Sequence, residues 1–265
     1  MNHKVVIITG ASSGIGKACA EVFSRNGSKV ILAARDEAAL NHVAATLTCE
    51  HLVVKTDVTR EDDCRRMIDA TITRFGRIDV LINNAGISMR ALFNDVGLGV
   101  IRKIMDVNFW GTVYCTKFAL PHLLQTKGSV VGVSSIAGFK GLPGRTGYSA
   151  SKFAVHGFLE ALRTENRKTG LHVLLACPGF TGTAIRERAL TAWGETQGSS
   201  PREEGKMMTT EQVANRIYRA VVRRRRTVIM TTQGKLAVLF GKFFPAFTDR
   251  QVYKQMAKEP DSPFV

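Results

Sequence analysis

A tyrosine and a lysine four residues apart are the side chains of this sequence best suited to acid–base chemistry. They stand in 148-YSASK-152, where a Gly/Ser-rich stretch meets the apolar-periodic run 153–165. On a helix, residues i and i+4 share one face, so Tyr148 and Lys152 point the same way. A free tyrosine has a pKa near 10. An ammonium about 4 Å away, at an effective dielectric constant near 20, supplies roughly the 4 kcal/mol needed to bring that pKa toward neutrality. We therefore predict that Tyr148 is a general acid or base tuned by Lys152.

A serine hydroxyl completes this set. Ser135 follows the fifth predicted strand, 128–134, and precedes Tyr148 by thirteen residues. A hydroxyl there would hydrogen-bond a substrate carbonyl oxygen as that oxygen takes up charge. The neighbouring Ser134 is an alternative that the sequence alone does not separate from Ser135.

A glycine-rich loop after the first predicted strand indicates a dinucleotide site. The segment 9-TGASSGIG-16 places glycines at positions 10, 14 and 16 and leads into a helix. Glycines let backbone N–H groups approach a pyrophosphate, and the N-terminus of the helix stabilises its charge. Ser12 and Ser13 would add hydrogen-bond donors. A Gly-rich turn with a purely structural role is the alternative.

The end of the second predicted strand bears on which dinucleotide is bound. An acidic residue at this position would bind the ribose 2′-hydroxyl of NAD. Here Ala34 occupies it, and Arg35 follows. Because a guanidinium suits a 2′-phosphate, the sequence predicts that NADP(H) is preferred over NAD(H).

These residues are placed by a regular alternation of strands and helices, which predicts one α/β domain with a Rossmann-type doubly wound sheet. Most strands are apolar on both faces, which is typical of a mostly parallel sheet covered by helices on both sides. The predicted strands are 4–9, 28–34, 51–56, 78–83, 128–134, 171–176 and 227–231. The predicted helices are 14–26, 36–48, 60–75, 97–126 (broken near Asn108), 148–169 and 209–224.

The predicted catalytic domain spans residues 1–232, and 233–265 form a helical C-terminal extension of it. The polar, irregular segment 180–208 follows the sixth strand, at the edge where such sheets bind ligands. We expect it to act as a lid over the substrate.

Composition narrows the class of protein. The 265 residues are 45% hydrophobic and 22% charged, which is ordinary for a globular chain. The net charge of +15 favours anionic ligands, but no nucleic-acid motif accompanies it, so no nucleic-acid partner is expected. Five scattered cysteines, without CxxC spacing, predict reduced thiols, no metal site and a cytoplasmic location.

Taken together, the motifs make the chain resemble the short-chain dehydrogenase/reductase family, in its single-domain NADP(H)-dependent form. The resemblance runs from residue 4 to about 231. It rests on 9-TGASSGIG-16, 56-TDVT-59, 83-NNAG-86, 106-DVNFWGT-112, Ser135, 148-YSASK-152 and 178-PGFTGT-183.

The resemblance implies roles for further residues. Asn108 would join Ser135, Tyr148 and Lys152 as the catalytic set, by kinking its helix and holding a water in a proton relay to Lys152. Lys152 would also bind the nicotinamide ribose. The cofactor would contact Gly10, Ser12, Ser13, Gly14, Ile15, Gly16, Arg35, Asp57, Val58, Asn84, Ala85, Gly86, Tyr148, Lys152, Pro178, Gly179, Phe180 and Thr183.

The function predicted from these features is that of an NADP(H)-dependent carbonyl reductase or secondary-alcohol dehydrogenase. The apolar C-terminal stretch favours a bulky apolar small-molecule substrate. A 3-oxoacyl thioester reductase, a hydroxysteroid-like dehydrogenase and a broad carbonyl reductase remain open, as does a non-catalytic NADP(H)-binding or sensing protein. By resemblance, helices 110–126 and 148–169 would form the interface of a homodimer or homotetramer.

Several other features have plain structural interpretations. We expect His156 to be a packing or surface residue and the run 223-RRRR-226 to stabilise a helix C-terminus. The segment 235–259 has a basic charge and four phenylalanines. It is open to three interpretations: a cover over the substrate cleft, a subunit interface, or a shallow contact with a membrane surface.

Overall fold

The computed structural model describes residues 1–200, 207–260 and 262–263. These residues form seven β-strands and nine α-helices. The strands are β1 (Val5–Thr9), β2 (Lys29–Ala34), β3 (His51–Lys55), β4 (Val80–Asn83), β5 (Ser129–Val133), β6 (His172–Cys177) and β7 (Thr227–Ile229). The helices are α1 (Gly14–Arg25), α2 (Glu37–Ala44), α3 (Glu61–Phe75), α4 (Leu98–Met105), α5 (Gly111–Gln125), α6 (Thr146–Glu165), α7 (Thr210–Val222), α8 (Thr232–Phe243) and α9 (Pro245–Ala257).

All seven strands lie parallel in one sheet, in the order β3-β2-β1-β4-β5-β6-β7. The predicted Rossmann-type architecture is therefore confirmed. The order reverses at β1, where Ile7 pairs with Ile31 of β2 on one side and Leu81 of β4 on the other. Ligands bind at such a switch point, beyond the carboxyl ends of the strands.

Apolar side chains on both faces of the strands explain why helices cover the sheet on both sides. Helices α1, α2 and α7 bury Phe23, Leu40 and Ile217 against one face. Helices α3, α5 and α6 bury Met67 and Leu159, among others, against the opposite face. The two layers fix the loops that follow β1, β4 and β5, from which the site is built.

The break predicted near Asn108 is a π-helical turn, Asp106–Trp110, between α4 and α5. Helix α6 begins at Thr146, two residues before Tyr148, so both members of the Tyr–Lys pair lie in its first two turns. After β7, the chain forms a helical hairpin of α8 and α9. Among the described residues, no helix is long and apolar enough to cross a membrane.

The predicted lid at 180–208 lies partly outside the described residues, because 201–206 are not among them. Its described part is joined to its surroundings by isolated bridges that pair Thr181 with Met208 and Leu190 with Met89. The lid function and the domain division at residue 232 stay predictions.

Candidate active site

Ser135, Tyr148 and Lys152 meet beyond the carboxyl end of β5. The Ser135 side chain hydrogen-bonds the phenol of Tyr148. The Lys152 ammonium lies 5.7 Å from the centroid of the Tyr148 ring, and it donates to the carbonyl oxygen of Val133 at 3.0 Å. The structure thus brings together three side chains that the sequence only suggested were neighbours.

The protonation of this cluster differs from the sequence-based expectation. Burial raises the pKa of Tyr148 above 10, and it outweighs the hydrogen bond from Ser135 and the positive charge of Arg145, which both lower the pKa. Burial also lowers the pKa of Lys152 to about 8, because the ammonium loses hydration. The expected lowering of the Tyr148 pKa by Lys152 is therefore absent here. Tyr148 is a protonated phenol at neutral pH, which is the form that donates a proton.

The structure separates Ser135 from Ser134. The Ser134 hydroxyl lies 2.7 Å from Nε2 of His156 and is buried with it. The His156 ring also packs edge-on against Phe139. Burial lowers the pKa of His156 to about 4, so the ring is neutral. His156 is accordingly a buried packing residue that holds Ser134, and Ser135 is the serine that contacts Tyr148.

Asn108 is buried in the π-helical turn and connects three parts of the fold. Its side-chain nitrogen donates to the carbonyl oxygen of Ile87 at 3.0 Å and to the hydroxyl of Ser151 at 2.9 Å. Its side-chain oxygen accepts the backbone N–H of Ile87 at 2.8 Å. Asn108 therefore ties the loop after β4 to α6, one residue from Lys152. The proton relay implied by the resemblance stays a prediction.

The loop after β1 has the backbone geometry that a pyrophosphate requires. Gly10 and Gly14 have φ values of 65° and 56°, a region that favours glycine. A Cβ atom on Gly10 would stand 2.9 Å from the Cα of Ala85. Within the described chain, the Ser13 side chain does not cap the first turn of α1. The N-terminal amides of α1 are thus suited to an anionic group.

Asn84 fixes this loop against the next strand. Its side-chain nitrogen donates to the carbonyl oxygens of Thr9 and Gly10 at 2.9 and 3.2 Å. The Thr9 hydroxyl in turn accepts the backbone N–H groups of Asn84 and Ala85. Asn84 and Ala85 therefore hold the loops after β1 and β4 together at the switch point. Their predicted contact with a cofactor would be a second role.

The loops after β2 and β3 form the other end of the cleft. Arg35 is exposed directly after β2, and the carboxylate of Asp36 caps α2 by accepting the N–H of Ala39 at 3.0 Å. Asp57 accepts two hydrogen bonds from Thr59, one from its N–H and one from its hydroxyl. The Arg35 guanidinium is thus exposed at the end of β2, and the adjacent Asp36 carboxylate already serves as a helix cap.

The reacting groups open into a cavity of about 650 Å³ with a mainly apolar lining. Ten of the predicted site residues line it: Ile15, Asn84, Gly86, Ser135, Tyr148, Lys152, Pro178, Gly179, Phe180 and Thr183. The other ten predicted site residues lie outside this lining: Gly10, Ser12, Ser13, Gly14, Gly16, Arg35, Asp57, Val58, Ala85 and Asn108. The volume falls within the range of cavities that bind small molecules.

The far wall of the cavity was not predicted residue by residue. It includes Leu142 and Arg145, which precede α6, and Ala237, Val252 and Met256 from α8 and α9. The apolar C-terminal run was the only sequence signal for this wall, and of its three interpretations the structure supports a cover over the cleft. No spacing or motif pointed to Arg145.

Two ion pairs hold α9 against the segment between Ser135 and Tyr148. Arg145 lies 3.0 Å from Glu259, with both side chains almost fully buried, and Lys140 lies 2.5 Å from Asp249, which is exposed. Arg145 also contacts the sulfur of Met256 at 3.8 Å. The cavity wall is therefore attached to the segment that leads into Tyr148.

The comparison with protein families bears directly on this arrangement. The model described as "short chain dehydrogenase" matches residues 4–192, which carry the glycine-rich loop and the Ser–Tyr–Lys cluster. The chain belongs to the short-chain dehydrogenase/reductase family. It is an oxidoreductase of the kind that acts on CH–OH and C=O groups.

Curated relatives extend the similarity into the C-terminal hairpin. Dehydrogenase/reductase SDR family member 7B of Mus musculus is 34% identical over 99% of this chain and 84% of its own length. An 11-beta-hydroxysteroid dehydrogenase A of Sesamum indicum is 34% identical over 97% of this chain and 78% of its own length.

Solved structures agree on the fold. A short-chain dehydrogenase/reductase of Burkholderia phymatum in complex with NAD superposes with a TM-score of 0.82, at 27% identity over 93% of this chain and 95% of that one. An alcohol dehydrogenase of Thermococcus sibiricus, complexed with 5-hydroxy-NADP, gives a TM-score of 0.77 at 23% identity, over 86% of this chain and 96% of that one. The fold and the loop after β1 fit a nicotinamide dinucleotide.

Proposed function

We propose that this protein is an NADP(H)-dependent reductase of bulky apolar ketones that also catalyses the reverse oxidation of secondary alcohols. The observation that carries the proposal is the convergence of Ser135, Tyr148 and Lys152 at one end of a large, mainly apolar cavity. A bound nicotinamide would supply the hydride.

Each of the three side chains has a defined part in this reaction. Ser135 would donate a hydrogen bond to the substrate carbonyl and keep the reacting carbon oriented. Tyr148, protonated at neutral pH, would give its proton to the alkoxide oxygen as it forms. Lys152, one turn further along α6, would hold the cofactor ribose.

The preference for NADP(H) rests on the edge of the sheet beyond β2. Arg35 is exposed there, and the carboxylate of Asp36 accepts a hydrogen bond from α2. A guanidinium forms strong, charge-assisted hydrogen bonds with a phosphate. Arg35 would therefore form a charge-assisted contact with the 2′-phosphate of NADP(H), which the uncharged 2′-hydroxyl of NAD(H) could not form.

Two of the cations that line the cavity are paired with carboxylates, which favours an apolar substrate over an acyl thioester carried by an anionic group. Lys140 and Arg145 both line the cavity, but their charges are matched by Asp249 and Glu259. Ala237, Val252 and Met256 add apolar contacts to the distal wall, beside the polar side chains of Gln233 and Gln255.

The test is the loss of NADPH absorbance with a panel of carbonyl compounds that includes bulky ketones, small ketones and a 3-oxoacyl thioester. Bulky apolar ketones should give the highest kcat/KM. Tyr148→Phe should lower kcat by about 100- to 10,000-fold and leave NADPH binding intact. Tyr114→Phe, on α5, is the matched control. An unchanged rate in Tyr148→Phe would refute the assigned acid, and NADPH binding without turnover of any carbonyl would favour a sensing protein.

We also propose that α5 and α6 form a subunit interface. Trp110, in the turn before α5, and Phe153, on α6, are both large and about half exposed. Trp110 stacks on Tyr114, which makes a rigid aromatic surface. Light scattering should give the mass of a dimer or tetramer for the native chain, and Phe153→Glu should lower that mass.

A further inference from the structure

The C-terminal hairpin, α8 and α9, exposes a stripe of large apolar side chains on the side away from the cavity. The stripe consists of Leu236, Leu239, Phe240, Phe243, Phe244 and Phe247, which are 40–62% exposed. The α8 members recur every three or four residues, so they share one face of the helix. The rings of Phe240 and Phe244 lie 6.1 Å apart, which makes the surface continuous into the turn. Exposed apolar patches of this kind mark interaction sites.

The charges around the stripe have one dominant sign. The hairpin carries four basic residues, Lys235, Lys242, Arg250 and Lys254, and one acidic residue, Asp249. Asp249 is paired with Lys140, which lies outside the hairpin. Lys242 lies beside the Phe243 ring, with its ammonium 5.9 Å from the ring centroid. The outer face therefore combines aromatic rings with surplus positive charge.

We propose that this outer face docks on an anionic lipid surface. Aromatic side chains partition into the interfacial region of a bilayer, and basic side chains around them contact anionic headgroups. A second copy of the chain is a poorer occupant. In a two-fold contact, the basic residues that flank the stripe would approach each other across the interface.

The inner face of the same two helices lines the cavity through Ala237, Val252 and Met256. A docked hairpin would place this cavity wall next to the lipid, so a ketone dissolved in the bilayer would have a short path to Tyr148. This consequence rests on the proposed function. Binding to the lipid surface does not, and it is tested without any assay of activity.

The experiment is flotation of the full-length protein with two vesicle preparations, phosphatidylcholine alone and phosphatidylcholine containing phosphatidylglycerol. We expect flotation with the anionic vesicles and its reduction by added salt. Phe243→Ser combined with Phe244→Ser should weaken binding at least tenfold. Lys242→Glu should weaken it roughly tenfold. Both variants should keep the thermal melting temperature of the native protein, because the replaced side chains are exposed.

A matched pair of control variants comes from the end of α7. Val222 and Arg223 combine an exposed apolar and an exposed basic side chain outside the hairpin. Val222→Ser and Arg223→Glu should leave vesicle binding unchanged. Equal losses in the Lys242 and Arg223 variants would mean diffuse adsorption of a basic protein and would overturn the proposal. The absence of flotation would overturn it too, as would hairpin variants that lower the oligomeric mass and still bind vesicles as the native protein does.

Discussion

The guanidinium of Arg145 lies 3.0 Å from the carboxylate of Glu259, although 113 residues separate them along the chain. Both side chains are nearly inaccessible to water, at 10% and 3% exposure. Glu259 follows α9 directly, and Arg145 precedes the helix that carries Tyr148 and Lys152. One buried ion pair thus couples the C-terminal hairpin to the reacting groups.

Breaking this pair should affect stability and substrate binding together. Glu259→Gln leaves the buried charges of Arg145 and Arg90 without their shared carboxylate, which should lower the free energy of unfolding by about 3 kcal/mol or more. The KM for a bulky ketone should rise, because the wall at Met256 loses its anchor. Denaturant unfolding and steady-state kinetics measure the two effects.

The exposed pair of Lys140 with Asp249 is the matched control for Glu259→Gln. Asp249 is 66% exposed, so Asp249→Asn should cost less than about 1 kcal/mol. Equal costs for the two substitutions would show that burial does not set the strength of the Arg145–Glu259 contact.

Arg35 should decide between the two dinucleotides. If its guanidinium binds the 2′-phosphate, Arg35→Ala removes a charge-assisted hydrogen bond, and the Kd of NADPH should rise about 10- to 100-fold. The Kd of NADH should hardly change. Fluorescence titration measures both, with Arg167→Ala, at the C-terminal end of α6, as the control. A parallel loss of NADH affinity would place Arg35 at a phosphate common to both cofactors.

The buried His156 should make the protein sensitive to acid. Its pKa is about 4 in the folded state and near 6.5 when unfolded, because burial and the charges of Lys152 and Arg163 disfavour the imidazolium. Between pH 6.5 and 4 the unfolded chain binds more protons than the folded protein does. The free energy of unfolding is therefore highest above pH 6.5 and falls as the pH drops toward 4.

A variant without an ionisable side chain at position 156 should make the free energy of unfolding less dependent on pH. His156→Gln can retain a hydrogen bond to Ser134, and its free energy of unfolding should fall less between pH 6.5 and 4. Burial also lowers the pKa of His172, so some slope will remain. His42→Gln, at an exposed position on α2, should keep the native slope. An identical pH dependence in the His156 and His42 variants would contradict the assignment.

Filling the cavity from α8 should narrow the range of substrates. Ala237 lines the cavity and its neighbour Leu236 faces outward. Ala237→Phe should lower kcat/KM for a bulky ketone at least tenfold by excluding it, with little effect on a small carbonyl compound. Leu236→Phe places the same phenyl ring outside the cavity and should change neither value of kcat/KM. Proportional losses for large and small substrates in Ala237→Phe would indicate a distorted active site instead.

Much of the fold could be predicted from the local pattern of apolar residues. Strands that are buried on both faces are apolar throughout, whereas helices show apolar residues every three or four positions. The predicted strands match within a few residues, as at β2, predicted over 28–34 and observed over Lys29–Ala34. Asn108 likewise marks a break in its helix. The motif around Tyr148 also predicted that Tyr148 and Lys152 lie on successive turns of one helix, because the i, i+4 spacing is local.

The features that were missed or predicted wrongly depend on contacts between segments far apart in the sequence. No pattern in the sequence pairs Arg145 with Glu259, because any of the chain's acidic residues could have met that arginine. The predicted lowering of the Tyr148 pKa was also wrong, because burial of the phenol raises the pKa and outweighs the groups that lower it. Both errors concern quantities that depend on how distant segments pack.

The strand order separates two groups of site residues, and substitutions in one group should not affect the other. Arg35 and Asp57 follow β2 and β3 at one margin of the sheet, and Ala237 and Met256 follow β7 at the other. Substitutions that are far apart and share no partners usually act additively. The residues that we propose for cofactor choice and for substrate range can therefore be altered independently, by mutation in nature or by design, without changing Ser135, Tyr148 and Lys152 between them.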